Sequence, residues 1–228
     1  RRDRRSDVKY YYTVTAVMDS TESYLGEENT KSATYVNMPS ELSATVTETG
    51  ILLSWEITDD LTNFIIYKRE KGQTEWSVLK TTSSNVTTYL DTSVESGATY
   101  EYAIKSVSAD GTFESSLSEV KSVVFLSRVA TVKLSNTVDG VKISWSKVTG
   151  AENYVIYRRL ETGTWVTVAT VSKDKTSYTD KQAESGKTYL YTVRALKDNW
   201  RGAYQNYKIY FIAAPQITKF DSQIGKGI

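Results

Sequence analysis

Apolar and polar residues alternate in short runs along most of this chain. In residues 51–55 and again in residues 141–145, the first, third and fifth positions are apolar, and the runs end in Trp55 and Trp145. A period of two is typical of a β-strand that buries one face. The runs are separated by turn-forming Gly, Asn, Asp and Ser, and helical periodicity is nearly absent. The pattern therefore predicts an all-β protein of short antiparallel strands.

The same succession of strands occurs twice, about 90 residues apart. The segments that recur are 50–55, 63–69 and 95–102, which return as 140–145, 153–159 and 184–191. A repeat of this length is a whole domain and not one turn of a solenoid. Each repeat holds about seven strand signals. We therefore predict tandem seven-stranded antiparallel β-sandwiches, each with one core between two sheets.

Trp55 and Trp145 are the first candidate core residues. They occupy the same position in the two repeats, and strand parity places them on the apolar face with their neighbours. A large aromatic side chain at such a position fills a core more often than it carries a ligand. Both are therefore predicted to be structural.

Motifs within the repeats resemble those of fibronectin type III modules. They are a Trp at the end of the second strand, Tyr-x-Ile-Tyr-Arg on the third, and Ser-Gly-x-Thr-Tyr-x-Tyr entering the sixth. The resemblance implies a fibronectin type III or immunoglobulin-like sandwich. It also implies that Tyr10, Tyr100 and Tyr189 are structural tyrosine-corner residues, whose hydroxyls bond the backbone a few residues upstream. Residues 145–154 resemble tandem repeats of secreted or surface proteins of Gram-positive bacteria.

The register of the repeat extends to both ends of the chain. Residues 10–17 lie 90 residues before the strand that begins at Tyr100. The two prolines, Pro39 and Pro215, both stand at the start of a repeat, where a missing N–H is tolerated. The chain is therefore expected to be an excerpt of a longer array. The predicted parts are the C-terminal strands F and G of a preceding module (1–38), two complete modules (39–127 and 128–214) and the start of a following module (215–228).

Composition excludes several kinds of chemistry. The chain has no Cys and no His, which rules out disulfides, thiolate nucleophiles, Ser–His catalysis and Cys or His metal sites. A net charge of +1 gives no support to nucleic-acid binding. No apolar run approaches the roughly 20 residues of a membrane helix. We therefore expect no catalytic residues, no metal, no cofactor, no nucleic-acid partner and no membrane insertion in this segment.

The loop between the sixth and seventh strands differs between the repeats. In the first repeat, residues 108–112 carry neither an aromatic side chain nor an Arg-Gly-Asp sequence. In the second, Trp200, Arg201 and Tyr204 place flat apolar faces beside a fork of hydrogen-bond donors, which suits a sugar or a protein hot spot. The alternative is that Trp200 folds back onto its own module or packs at the next junction. These three residues are the candidate ligand-binding site.

Together these features predict a non-catalytic, extracellular spacer. It would be a structural module array of a bacterial surface or secreted protein that presents a catalytic or adhesive domain. Short junctions between modules favour an extended, semi-rigid array. The alternatives are an adhesion or carbohydrate-binding module using the loop of the second repeat, an accessory region of a secreted glycoside hydrolase, or a structural subunit of a filament or virion. Expected partners are neighbouring modules and, in the binding alternative, a glycan or host surface protein.

Overall fold

The computed structural model describes residues 8–56 and 63–215. These residues fall into two compact units. The first contains 8–56, 63–94 and 98–125, and the second contains 95–97 and 126–215. In this part of the chain, no helix is long and apolar enough to span a membrane.

The first unit begins with two small antiparallel pairs, which we call the N-terminal ribbon (residues 8–35). Its strands are β1 (Val8–Thr13), β2 (Val17–Met18), β3 (Thr21–Glu22) and β4 (Thr30–Tyr35), and β1 pairs with β4 while β2 pairs with β3. Asp19 and Ser20 join β2 to β3 with φ angles of 46° and 68°. Two consecutive positive φ values give the turn that matches the twist of a two-residue hairpin.

The rest of the first unit is a sandwich of seven strands. They are β5 (Ser40–Val46), β6 (Ile51–Glu56), β7 (Asn63–Glu70), β8 (Ser77–Thr82), β9 (Thr88–Asp91), β10 (Thr99–Val107) and β11 (Lys121–Val124). One sheet has the order β5-β6-β9 and the other β11-β10-β7-β8. Every pairing within them is antiparallel.

The second unit repeats this arrangement with one addition. Its strands are β12 (Val132–Thr137), β13 (Gly140–Trp145), β14 (Asn153–Leu160), β15 (Val166–Ser172), β16 (Ser177–Asp180), β17 (Lys187–Lys197), β18 (Trp200–Arg201) and β19 (Tyr207–Phe211). One sheet is β12-β13-β16, and in the other β15-β14-β17 continues with both β18 and β19 on β17. The prediction of tandem fibronectin type III-like sandwiches is confirmed by these strand orders. The added strand is β18, in the loop that the sequence singled out.

Each sandwich has a Trp between its sheets. Trp55 on β6 is 4% exposed and meets Phe64 of β7 edge-on, with ring centroids 5.7 Å apart. Trp145 on β13 is 5% exposed and lies 5.5 Å from the ring of Tyr154 on β14. Each pair joins the two sheets of its own sandwich. Each Trp is therefore part of the core of its own module.

A buried ionic cluster is a second link between the sheets of the first sandwich. The Asp91 carboxylate, at the end of β9, lies 2.7 Å from Lys68 Nζ and accepts a hydrogen bond of 2.7 Å from the Tyr102 hydroxyl. Burial acts to raise the pKa of Asp91, but hydrogen bonds from Lys68, Ser93 and Tyr102 outweigh it and hold that pKa below its ordinary value. Burial, reinforced by the bond to Asp91, raises the pKa of Tyr102. The cluster thus contains one ion pair and one neutral phenol.

The second sandwich builds the same cluster with a guanidinium in place of the ammonium. Arg158 Nη1 lies 2.6 Å from the buried Asp180 carboxylate, which also accepts a 2.8 Å bond from the Tyr191 hydroxyl. Burial lowers the pKa of Arg158, but the attraction of Asp180 outweighs burial, so that pKa is raised. Burial and the bond to Asp180 raise the pKa of Tyr191. In both modules, therefore, a buried Asp, a basic residue and a Tyr link the two sheets.

The N-terminal ribbon shares the register of a later strand pair. Tyr10 of β1 stands opposite Ala33 of β4, and Tyr100 of β10 stands opposite Val123 of β11, so both partners are 23 residues apart. The assignment of residues 1–38 to strands F and G of a preceding module stays a prediction that this register supports. Residues 1–7, and residues 216–228 with the predicted start of a following module, lie outside the described part.

Candidate functional site

The candidate residues Trp200 and Arg201 are consecutive on β18, and their side chains point to opposite faces of the β17–β18 hairpin. Trp200 pairs with Lys197, and Arg201 pairs with Leu196. Because neighbouring residues of a strand point to opposite faces, the two side chains diverge. Asp198, in the two-residue turn, has a φ of 50°, a left-handed conformation that Asp tolerates better than most residues. This turn therefore sends Arg201, and not the half-buried Trp200, to the outer face of the sheet.

Arg201 and Tyr204 line a cleft of about 340 Å³ on that outer face. Its other lining residues, which complete what we call the aromatic–arginine cleft, are Tyr157, Trp165, Thr192 and Arg194. Tyr157 of β14 stands directly opposite Thr192 of β17. Trp165 immediately precedes β15. The cleft thus spans β14, β17 and β18 of the five-stranded sheet.

The arginines of the cleft are held by hydrogen bonds and by aromatic rings. Arg194 Nε donates to the carbonyl of Gly202 at 2.9 Å, and its guanidinium lies 5.0 Å from the centre of the Tyr204 ring. Arg201 Nε donates to the Tyr157 hydroxyl at 3.1 Å. Burial lowers the pKa of Arg194, and the charge of Arg201 also lowers it, against opposing effects of Tyr157 and Tyr204 that are smaller than that of burial. A guanidinium nevertheless stays protonated in proteins, so the cleft carries two positive charges.

A third guanidinium borders the cleft. Arg159 lies 5.2 Å from the Trp165 ring, and its Nη1 donates to the carbonyl of Glu161 at 2.8 Å. In the described part of the chain, no carboxylate lies within 4.0 Å of the guanidinium nitrogens of Arg159, Arg194 or Arg201. The cleft therefore presents cationic donors without an internal counter-ion.

Thr192 lies at the floor of this cleft. It is 3% exposed, and its hydroxyl has no hydrogen-bond partner among the described residues. A buried hydroxyl without a partner costs on the order of 1–3 kcal/mol. The first module also contains buried hydroxyls without a partner among the described residues, at Thr82 and Ser106. The hydroxyl of Thr192 differs from them in that Thr192 lines the cleft.

The same face of the first sandwich has its charges paired. Arg69 Nε lies 2.6 Å from the carboxylate of Glu101, and Lys105 Nζ lies 2.9 Å from that of Glu114. The pairing with Glu114 raises the pKa of Lys105. Arg69 and Lys105 of the first module thus each have a carboxylate partner, which the described arginines at the cleft do not have.

The two faces differ chiefly along the strand next to the cleft. Tyr67 stands opposite Ala103 in the first module, and Tyr157 stands opposite Thr192 in the second. Positions of β10 can therefore be matched to positions of β17. The replacements on going from the first module to the second are Leu190 for Glu101, Thr192 for Ala103 and Arg194 for Lys105. The first replacement removes a carboxylate, and the second adds the unpartnered hydroxyl.

Sequence reasoning identified Arg201 and Tyr204 but not Thr192 or Arg194. The signal that was available is the difference at alternate positions of β17, where the second repeat departs from the first. That signal gains meaning only when the register shows which residues share the outer face.

The proposed tyrosine-corner residues occupy different surroundings. Tyr189 is buried, and its hydroxyl accepts a 3.0 Å hydrogen bond from the backbone N–H of Glu184, five residues upstream. Tyr100 is buried beneath Lys68, whose Nζ lies 4.4 Å from the ring centre. Tyr10 is half-buried in the ribbon. In the second module a backbone-to-tyrosine bond therefore spans the turn before β17. The tyrosine-corner role of the three residues stays a prediction.

A metal site is not formed by the described residues, since no three His, Cys, Asp or Glu side chains gather in a suitable arrangement.

No family model matches this chain. The solved structures that are similar to it include the following three. A segment of two fibronectin type III domains from chicken tenascin is 14% identical over 76% of this chain and 99% of that one, with a TM-score of 0.43. The FN1–FN3 domains of chicken CNTN1 are 15% identical over 80% of this chain and 70% of that one, with a TM-score of 0.37. The chicken interferon gamma receptor alpha chain is 14% identical over 78% of this chain and 100% of that one, with a TM-score of 0.46.

Proposed function

We propose that the chain is a non-catalytic, extracellular array of structural modules. The two complete sandwiches act as spacers in a bacterial surface or secreted protein and carry a catalytic or adhesive domain away from its anchor. Residues 1–38 belong to a preceding module and residues 215–228 to a following one. The neighbouring modules of the same polypeptide are the main partners.

The observation that supports a spacer is the duplication of a complete sandwich with its own core. Each module has its own Trp-centred core and its own ionic link between sheets, Asp91 in the first and Asp180 in the second. The connection from β11 to β12 is the seven-residue segment 125–131. A short segment leaves little slack between consecutive folded units. Self-contained units on short connections are what a spacer requires.

The spacer proposal predicts that the activity of the presented domain depends on the length of the module array and not on the amino-acid sequence of the modules. In the natural parent protein, residues 39–214 are exchanged for two unrelated fibronectin type III modules, or are deleted. The activity of the presented domain at the cell surface should survive the exchange and fall on deletion. If the exchange is as harmful as the deletion, these modules have a sequence-specific task and the spacer proposal fails.

A second function, ligand binding by the second module, is favoured by the aromatic–arginine cleft. We propose it beside the spacer because uncompensated guanidinium groups, exposed rings and an unpartnered hydroxyl meet there. The occupant is a glycan or a host surface protein. In this proposal Trp200 is not a contact residue, since it lies on the other side of the hairpin from Arg201.

The hairpin supplies a matched pair of variants for that test. Arg201→Gln combined with Tyr204→Ala alters the cleft, whereas Trp200→Ala alters the opposite side. Binding to an immobilised panel of neutral and acidic oligosaccharides should fall at least tenfold for the double variant and stay within about twofold for Trp200→Ala. Loss of binding only with Trp200→Ala would move the site to the other side of the hairpin.

A further inference from the structure

We propose that the aromatic–arginine cleft binds an acidic sugar, a pyranose that carries a carboxylate, and that Leu190 makes this possible. The inference rests on the second function proposed above, ligand binding by the second module. It is independent of the spacer function. It names the ligand class and the residue that distinguishes the two modules.

The charge of the cleft points to an anionic ligand. Arg194 and Arg201 line the cleft and Arg159 borders it, and none of the three has a carboxylate partner among the described residues. A planar guanidinium matches a carboxylate with two parallel hydrogen bonds. Arg194 and Arg201 each use Nε within the module. Their terminal nitrogens are therefore the groups that a ligand carboxylate meets.

The rings of the cleft favour a sugar over an acidic peptide. Trp165 is 36% exposed and Tyr204 is 50% exposed, although each also lies near an arginine. Rings with an apolar body and an accessible face offer broad contact area to a flat ligand. A pyranose presents such a C–H face, whereas a Glu or Asp side chain presents a flexible stem. A volume of about 340 Å³ is at the lower end of ligand pockets, which suits one or two sugar rings.

Leu190 determines which module can bind. Arg159 stands opposite Leu190 in the second module, and Arg69 stands opposite Glu101 in the first. In the first module this Glu pairs with Arg69 at 2.6 Å and places a negative charge on the sheet face. A ligand carboxylate would be repelled there. With Leu at the equivalent position, the face of the second module keeps its positive charge.

The test uses the complete chain and two matched variants. The probe is trigalacturonic acid, and the neutral comparison is its methyl ester. Binding is followed through the backbone amide NMR signals of Thr192, Arg194 and Arg201. Leu190→Glu introduces the carboxylate of the first module, and Leu190→Gln has nearly the same shape without the charge. Leu190 is only partly buried, on an outer sheet face, so the position should accept either side chain.

We expect the acid to shift these signals and the methyl ester to bind at least tenfold more weakly. Leu190→Glu should weaken binding of the acid at least fivefold, and Leu190→Gln should change it by less than twofold. Equal binding of acid and ester would overturn the acidic-sugar inference but leave the binding cleft. Competition by triglutamate as strong as that by the acid would assign the cleft to acidic protein. Absence of binding by all three probes would remove both the inference and the binding function.

Discussion

Asp91 is the residue on which the acid stability of the first module is expected to depend. Its carboxylate is buried beside Lys68 and Tyr102, and its pKa is held below the ordinary value. A carboxylate with a depressed pKa adds stability above its unfolded pKa, about 3.9. That stability is lost as the pH falls through the folded pKa. The first module should therefore lose stability below about pH 4.

Asp91→Asn removes the charge while keeping the shape of the side chain. Because it leaves the Lys68 ammonium in a buried place without its counter-ion, it should lower the free energy of unfolding by about 3–5 kcal/mol at pH 7. The variant should also lose less stability than the wild type between pH 5 and pH 2. Both effects can be measured by urea unfolding, followed through the amide NMR signals of β6 and β10.

Glu119→Gln is the control for this prediction. Glu119 also pairs with a lysine of the same module, Lys121 at 2.8 Å, but its carboxylate is exposed. Exposed pairs contribute about 0–1 kcal/mol, so the control should behave almost as the wild type. Equal stability of Asp91→Asn and Glu119→Gln would contradict the role assigned to the buried cluster.

The residues of the core were predictable, and the ionic clusters were not. The period-two pattern placed Trp55 and Trp145 on the buried face of their strands. This prediction depends only on the strand itself and does not require knowing which residues it contacts. The partners of Asp91 come from two other strands, β7 and β10. Their proximity depends on how two sheets face each other, which strand parity does not define. The repeat carried a usable hint, since Asp180 ends β16 of the second module as Asp91 ends β9 of the first.

At the scale of elements, the β17–β18 hairpin depends on the conformation of Asp198. Its φ of 50° costs little for Asp or Gly but on the order of 1–2 kcal/mol for a residue with a branched Cβ. Asp198→Val should therefore open the hairpin more often, and Asp198→Gly should not. Amide hydrogen exchange at Trp200 and Lys197 should speed up by roughly 5–30-fold in the Val variant.

The same variants test whether the hairpin positions the cleft. If Asp198→Val leaves exchange at Trp200 unchanged, the turn does not determine the side on which Arg201 lies. The sequence predicted a variable loop at this place but could not predict which of its residues point outward. The face to which each side chain points depends on the two-residue turn between β17 and β18. A shift of the strand register by one residue would exchange the faces of Trp200 and Arg201.

The N-terminal ribbon is the element with the least support from packing. Tyr11, Val14, Met18 and Tyr24 are all exposed, and a two-stranded pair without a covered apolar face is only marginally stable. Limited proteolysis of the 228-residue chain should therefore cut within 8–35 before it cuts either sandwich. Mass spectrometry of early fragments checks this. First cuts within β6 or β13 would show that the ribbon is better protected than its exposure indicates.

At the scale of the whole molecule, two separate cores should give two separate unfolding events under tension. Each sandwich is formed by roughly 80 residues. At about 3.3–3.6 Å per extended residue, each rupture should release on the order of 250 Å once the folded length is subtracted. Single-molecule pulling of the chain between attachment handles measures both the number of ruptures and these lengths.

Trp145→Ala makes the prediction specific to one module. Trp145 packs on Tyr154 in the second core, and deleting a buried Trp side chain costs about 3–5 kcal/mol. One of the two ruptures should therefore move to lower force, while the other keeps the wild-type force. Trp55→Ala should do the same to the other rupture, because that core contains Phe64 and none of the residues around Trp145. A single rupture that releases both lengths, or a variant that weakens both events equally, would mean that the modules unfold as one unit. In that case the spacer would bear load as one cooperative unit, and neither module could be exchanged without the other.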